Sequence, residues 1–460
     1  MYHIRLRAIP LIIGLLAVSA PSVLLAVTPS FWTTATFNEF SKGTLKELTL
    51  NSEGQISLSP KFDSVFDTDQ ALIWSAAFDS KKNLYVGTGH DGKVFKVDIN
   101  GSSSVFFDAA ELDVLALALD SEQTLFVATS PDGKIYRVNG DGKATVFFDP
   151  EDKFIWDMEF DKKGDLFVAT GNKGRIYKVN KEGKGEIFYD SGQANILCLA
   201  IDEQGNIVAG SDPDGYLYRI SPEGKPFVLY DSSMREIHEL QIDSQGNIYF
   251  IGINASPAGA IPQSKVNLPE GAPSESISVS VSVAAPTERT LAEEPIPNYR
   301  IPVARPGRRE SGNLRSGIFR VSKDNHVESL WISDSETLFG LNLRPNGKVL
   351  LSTGNKGRIY LLDDLKKPTL LIETNEEQTT RLISGGSDVF ACTSNLAKIY
   401  RLSNELNSHG TYESDVKDTQ TTSSWGQIHW EAEVPSGATL KVYTRSGNTK
   451  KPDKSWSDWS

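Results

Sequence analysis

Three features of the 460-residue sequence predict an all-β fold, a β-propeller of seven four-stranded blades. They are a 41-residue period, four strand-like segments in each period, and no surviving helical periodicity within it. The period is read in independent columns. Ile73, Val114, Ile155, Ile196 and Ile237 follow one another at steps of 41, as do Leu84, Leu125, Leu166, Ile207 and Ile248. Gly92, Gly133, Gly174 and Gly215 keep the same register, with Phe95, Tyr136, Tyr177 and Tyr218 beside them. Asp67, Asp108, Asp149, Asp190 and Asp231 make a fifth column. Four short antiparallel strands per period suit a blade that packs face to face on its neighbours around an axis.

In chain order, the first element is a leader. Arg5 and Arg7 precede an uncharged stretch, 8–27, containing Leu11, Ile12, Ile13, Leu15, Leu16, Leu24 and Leu25. A positive segment followed by a short apolar core is the layout of a secretory signal peptide, here residues 1–27, with cleavage near Ala20 or Ala26. The competing reading is an uncleaved anchor, against which Pro10 and Pro21 interrupt a spanning helix. Residues 28–420 are assigned to the propeller. Its repeats begin near residues 71, 112, 153, 194, 235, 337 and 379.

The third repeat shows the strand logic. IWDMEFD (155–161), DLFVAT (165–170), RIYKVN (175–180) and EIFYD (186–190) are rich in β-branched and aromatic residues. The connectors DKKG, GNKG and NKEGKG carry turn residues. The fifth repeat is interrupted after IYFIGIN (248–254) and resumes about 60 residues late with GIFRVS (317–322). GNKGRIY at 171–177 recurs at 354–360, a separation of 183, or three periods plus 60. The last repeat has a poor fourth strand around 410–415, whereas SVFD (64–67) matches an outer strand that lacks its own blade. The N-terminal segment therefore completes the last blade, removing an open edge.

Two segments lie outside the ring. Residues 255–313 are rich in Pro, Ser, Ala and Glu and are expected to be a flexible insertion, RPGRR (305–309) being its basic cluster. Residues 421–460, with WGQIHWEAEV, ATLKVYTRSG and SWSDWS, are read as an incomplete β-sandwich-like module. Its end, WSDWS (456–460), resembles the Trp-Ser-x-Trp-Ser signature of fibronectin-type modules in cytokine receptors.

The repeat pattern D-x-x-G-x-[LI]-[YF]-V-[AG]-T followed by G-[KR]-[IV]-[YF]-[KR]-[VL], seen in DKKGDLFVATGNKGRIYKV (161–179), resembles the NHL-repeat and gluconolactonase-like (senescence-marker-protein-like) propellers. That resemblance implies the fold over roughly residues 60–420. For the gluconolactonase-like branch it also implies a divalent metal held in the channel by a Glu, two Asn and an Asp. The region matching that family's N-terminal Glu segment, 67–75, contains no Glu.

Composition narrows the function. A net charge of −12 offers no basic excess for phosphates, so nucleic acid is excluded as a general partner. The Asp column Asp79, Asp120, Asp161, Asp202 and Asp243 opens turns in which Asp accepts neighbouring backbone N–H groups, too few ligands for calcium. The glycines of the Asp91-Gly92, Asp132-Gly133 and Asp214-Gly215 type are hairpin corners. Lys96, Arg137, Lys178, Arg219, Arg320 and Arg401 form a third-strand column expected to make ion pairs. Cys198 and Cys392 stand three blades apart, out of disulfide reach.

First strands line a propeller channel, so their polar and aromatic residues are the candidate ligand-binding set: Trp74, Trp156, Asp157, Glu159, His238, Glu239 and Asn342, joined by His90 in a loop. No catalytic nucleophile and no metal set is assigned. The leading expectation is an exported non-enzymatic propeller that binds a protein or glycan partner through the loops GHDG, TSPDG, GNKG and SDPDG, with no cofactor. The alternative is a lactonase or other hydrolase dependent on calcium or another divalent metal, with Asp157 and Glu239 in its channel site.

Overall fold

The computed structural model describes residues 31–98, 101–254, 314–363, 366–374, 376–421 and 423–460. The leader and the 255–313 insertion lie outside these residues.

Seven four-stranded units surround one axis. Their first strands are Leu72–Phe78, Asp113–Leu119, Phe154–Phe160, Asn195–Ile201, Glu236–Ile242, Leu338–Leu343 and Gln378–Gly385. Each packs on the first strand of the next unit, and the seventh packs on the first, so the ring is closed. Second strands such as Leu166–Gly171 are buried along their whole length, as sheets stacked on both faces require. Third strands alternate, and outer strands such as Gly185–Asp190 are mostly exposed. The expected strands of the third blade agree with Phe154–Phe160, Leu166–Gly171, Arg175–Val179 and Gly185–Asp190 to within a residue.

The seventh blade is completed from the other end of the chain. Pro60–Asp67 pairs antiparallel with Lys398–Leu406, Phe66 opposite Ile399 and Phe62 opposite Leu402. Phe62 stacks on Tyr400 at 4.6 Å, and Phe66 packs against Phe95 of the first blade at 5.5 Å. The sequence reading did not foresee the use of the preceding residues. Leu48–Leu50 and Ile56–Leu58 extend the outer edge of the sixth blade beyond Pro368–Ile372. The weak candidate strand near 410–415 is Thr411–Glu413, which pairs with Thr44–Lys46 outside the ring.

A polar clasp repeats where the chain enters a blade, tying the entry loop to that blade's third strand. Glu111, in the loop before the second blade, takes Lys134 at 3.0 Å and the Tyr136 hydroxyl at 3.0 Å. Glu336 takes Arg358 and Tyr360, and Glu376 takes Lys398 and Tyr400, in the same arrangement. Each of Asp79, Asp120, Asp161, Asp202 and Asp243 accepts the backbone N–H groups two and four residues on, which accounts for that column structurally. In the basic column Lys178 pairs with Asp165, Arg320 with Glu328 and Arg401 with Asp63. Arg219 instead donates to the Asn325 amide at 3.0 Å, and Lys96 lies over Tyr85. Both cysteines are free and buried.

Past the ring, the described residues of 421–460 form no strand. Thr444 and Ser460 exchange both backbone hydrogen bonds, at 3.0 and 2.9 Å, which folds WSDWS back along 444–446. The Arg445 guanidinium lies over the rings of Trp456 and Trp459, 5.8 and 4.2 Å from their centroids.

Because the closing strand covers the seam, replacing Phe66 by Ala is expected to cost about 2–3 kcal/mol in urea denaturation, against under about 0.5 kcal/mol for the same change at exposed Val105. Equal losses at the two positions would contradict closure by this strand. The turn aspartates give a second expectation: Asp161→Ala costs about 1 kcal/mol, and added calcium leaves the melting temperature unchanged. A calcium-dependent rise lost in Asp161→Ala would make the column a metal site.

Candidate functional site

The channel mouth is built by one irregularity repeated around the ring. In every first strand the register with the second strand shifts by one residue, between Ile73 and Ser75, Ile155 and Asp157, Ile237 and Glu239, and at the equivalent places in the other blades. The extra residue of such a bulge leaves the ladder and its side chain is re-aimed. The residues there are Trp74, Leu115, Trp156, Leu197, His238, Phe339 and Thr380, so four of the seven carry rings. Trp74 is 39% exposed, and His238 lies 5.7 Å from Phe339 of the next blade. Phe154 stacks on Trp156 at 5.6 Å with the planes 10° apart.

The rings rest on glycines. A Cβ on Gly89, Gly171 or Gly354 would collide with Trp74, Trp156 or Phe339 respectively. Each glycine lies 15 residues after its ring, at the end of or just past the second strand. Where the bulge residue is Leu115 or Leu197, the residue 15 further on is Ser130 or Asp212. Both tryptophans are also clamped across the blade boundary. Trp74 Nε1 donates to Asp113 Oδ1 at 3.1 Å, and Trp156 Nε1 donates to Asn195 Oδ1 at 3.2 Å.

One residue further along, a second ring of equivalent positions runs Ser75, Ala116, Asp157, Cys198, Glu239, Gly340 and Arg381. Most of its side chains hold the next blade. Ser75 Oγ donates to the Val114 carbonyl, Cys198 Sγ approaches the Ile237 carbonyl, and Asp157 accepts the Leu199 N–H at 2.9 Å. Arg381 donates to the Trp74 carbonyl at 3.0 Å and comes within 3.9 Å of Glu239.

Charge in this lumen is crowded. Burial is the main cause that pushes Glu239 up to about 7, against the pull of Arg381 and the Leu341 N–H. Burial and then neighbouring Asp157 push Glu159, which is open to lumen water but walled by protein, to about 7. Glu236 also stands at about 7, through burial and then Asp212, with Arg235 opposing. Burial raises Asp157 as well. His238, whose Nδ1 is 3.6 Å from Glu236, is pushed down to about 4 by burial and then by Arg381, so it stands neutral.

Of the sequence candidates, Trp74, Trp156 and His238 come to the mouth, while Asp157, Glu159 and Glu239 line the lumen behind them. His90 is exposed in a loop, and only its backbone N–H reaches toward the mouth, donating to Asp113 at 3.1 Å. Asn342 is buried and bonds Ser384 of the next blade at 2.9 Å, which is a packing role. Sequence reasoning missed Arg381 and Glu236. Arg381 was findable, because 157, 239 and 381 share one column once the 60-residue interruption is removed. Among the described residues, no three His, Cys, Asp or Glu side chains come together as a metal site.

These carboxyls bind protons more tightly folded than unfolded, so unfolding releases protons between about pH 4.5 and 7 and stability falls as pH rises through that window. Glu239→Gln is therefore expected to match the parent at pH 5 and to exceed it at pH 8 by on the order of 1–2 kcal/mol in denaturant unfolding. A variant less stable than the parent at pH 8 would show that Arg381 already holds Glu239 charged.

No protein-family model and no curated protein sequence matches this chain. Solved structures do. Virginiamycin B lyase from Staphylococcus aureus is 11% identical with a TM-score of 0.56, over 75% of this chain and 99% of that one. YCF48 bound to a D1 peptide is 11% identical with a TM-score of 0.52, over 76% of this chain and 98% of that one. The extracellular domain of a putative hybrid two-component system from B. thetaiotaomicron is 14% identical at 0.50, over 78% of this chain and 45% of that one. At these identities the likeness establishes the fold alone: the chain is a β-propeller.

Proposed function

We propose that this chain is an exported, non-enzymatic binding propeller that takes a protein or glycan partner at the channel mouth. The observation that carries the reading is the rim of bulge residues, in which Trp74, Trp156, His238 and Phe339 occupy equivalent positions on one face. Rings at the mouth supply contact area at low conformational cost, and the neutral His238 and proton-rich carboxyls supply hydrogen bonds. Export rests on the leader-like residues 1–27, and the NHL-like or gluconolactonase-like affiliation on the repeat pattern at 161–179. Among the propellers of similar fold, YCF48 was solved bound to a D1 peptide, which is consistent with a recognition role for a propeller.

The alternative, a metal-dependent lactonase using Asp157 and Glu239, requires ligands converging on one ion. Elemental analysis of the protein dialysed without chelator is expected to find far less than one divalent metal per chain. One calcium or zinc per chain, lost on Glu239→Gln, would overturn the non-enzymatic reading. The mouth itself is tested on a printed array of peptides and oligosaccharides probed with the full chain and with the Trp74→Ala/Phe339→Ala variant. Signals present for the parent and lost in the folded variant are expected. Signals that the variant retains undiminished would place recognition elsewhere.

A further inference from the structure

The two tryptophan sites at the mouth share one clamp built twice, with one difference: Phe154 also stacks on Trp156, at 5.6 Å with the planes 10° apart. In the first blade, Trp74 lies on Gly89 and its indole N–H is held by Asp113, whose Oδ1 also accepts the His90 N–H at 3.1 Å. In the third blade, Trp156 lies on Gly171 and is held by Asn195, whose Oδ1 also accepts the Asn172 N–H at 3.4 Å. Both loop residues have positive φ, 70° for His90 and 71° for Asn172. The clamp residues are 39 positions after their tryptophans, each on the following blade. Asn195 has both ends committed, since its Nδ2 donates to Asp212 at 2.9 Å and Asp212 is in turn held by Arg235 at 3.0 Å. Neither indole is held by backbone strain alone. Each is fixed by a floor, a hydrogen bond and a loop anchored to the same oxygen.

A duplicated, preset aromatic platform fits a ligand that repeats. We propose, resting on the mouth-binding reading above, that Trp74 and Trp156 are two copies of one stacking subsite for pyranose rings, so that the partner is a carbohydrate chain. The apolar C–H face of a sugar ring covers an indole, while its hydroxyls need directional donors and acceptors at the ring's edge. The groups around the mouth left for that purpose are Asp212, neutral His238 and Glu236. Asp113 and Asn195 act as positioning residues, holding the indoles rather than the sugar.

The test is calorimetry and indole fluorescence on the full chain with cellohexaose, chitohexaose, maltohexaose and xylohexaose, their disaccharides, and hexalysine. At least one hexasaccharide is expected to bind, with its disaccharide about tenfold weaker because it engages one platform at a time. Trp74→Ala and Trp156→Ala are each expected to weaken that binding by about tenfold, and Trp74→Phe by less. Asp113→Ala and Asn195→Ala should weaken it by about threefold to tenfold and change the near-ultraviolet circular dichroism of the indoles. A merely structural clamp would lower the melting temperature and leave affinity and that signature alone. Binding of hexalysine but of no saccharide, abolished in Trp74→Ala, would overturn the carbohydrate assignment while leaving the mouth as the binding face. Saccharide binding indifferent to both tryptophans would overturn the subsites. No saccharide bound at millimolar concentration would overturn the proposal outright.

Discussion

Everything in this molecule depends on the ring being closed, and closure is made by one antiparallel pairing between distant parts of the chain. Pro60–Asp67 supplies the outer strand that the seventh blade does not make for itself. Without it, the seventh blade presents the open edge of Lys398–Leu406, the seam with the first blade loses Phe66 and the seam with the sixth loses Phe62. The single bridge from Ser394 to Leu72 continues the seam inward. Only a closed ring brings seven first strands around one lumen, and only then do residues hundreds of positions apart become neighbours.

Within the ring, the bulge in each first strand separates two jobs. The residue after it holds the next blade, as Ser75, Asp157 and Cys198 do. The bulged residue itself is released from the ladder and turned to the mouth. The same insertion thus provides packing on one side and a variable surface on the other. The scaffold tolerates Trp74, Leu115, His238 or Thr380 at that position because no ladder bond depends on which is present, and the contacts each makes to the next blade differ: Trp74 bonds Asp113, His238 packs on Phe339 and Thr380 donates to the Ile73 carbonyl. A binding rim can vary blade by blade on a repeat that stays regular, which is how repeat folds commonly divide stability from recognition.

The lumen is less permissive. Three carboxyls, Asp157, Glu159 and Glu239, and the Arg381 guanidinium share a space bounded by β-sheet edges, and burial is the largest influence on the carboxyls' protonation. Arg381 is shared between Glu239 and the Trp74 carbonyl, so it links the lumen charge to the rim. Gln241 and Asn342, polar residues of the same wall, are spent on the next blade's backbone and side chain.

Much of this was legible in the linear sequence because a repeat writes its geometry many times. The 41-residue columns determined the blade, its four strands, the turn aspartates and the register across the interruption after residue 254. They also identified SVFD as an outer strand in search of a blade, since alternation and register are local properties of the chain. What they did not determine is which side chains meet across blades. The extension of the sixth blade by Leu48–Leu50 and Ile56–Leu58, the glycine floors under Trp74 and Trp156, and the link from Arg381 to Glu239 all depend on closure. The bulge was hidden for a different reason: it is a mismatch between two strands, and neither strand's own pattern records it. Periodicity dictates each blade, because the hydrophobic pattern acts along the strand. The mouth and its chemistry were decided by tertiary structure, because they exist only where seven strand ends converge.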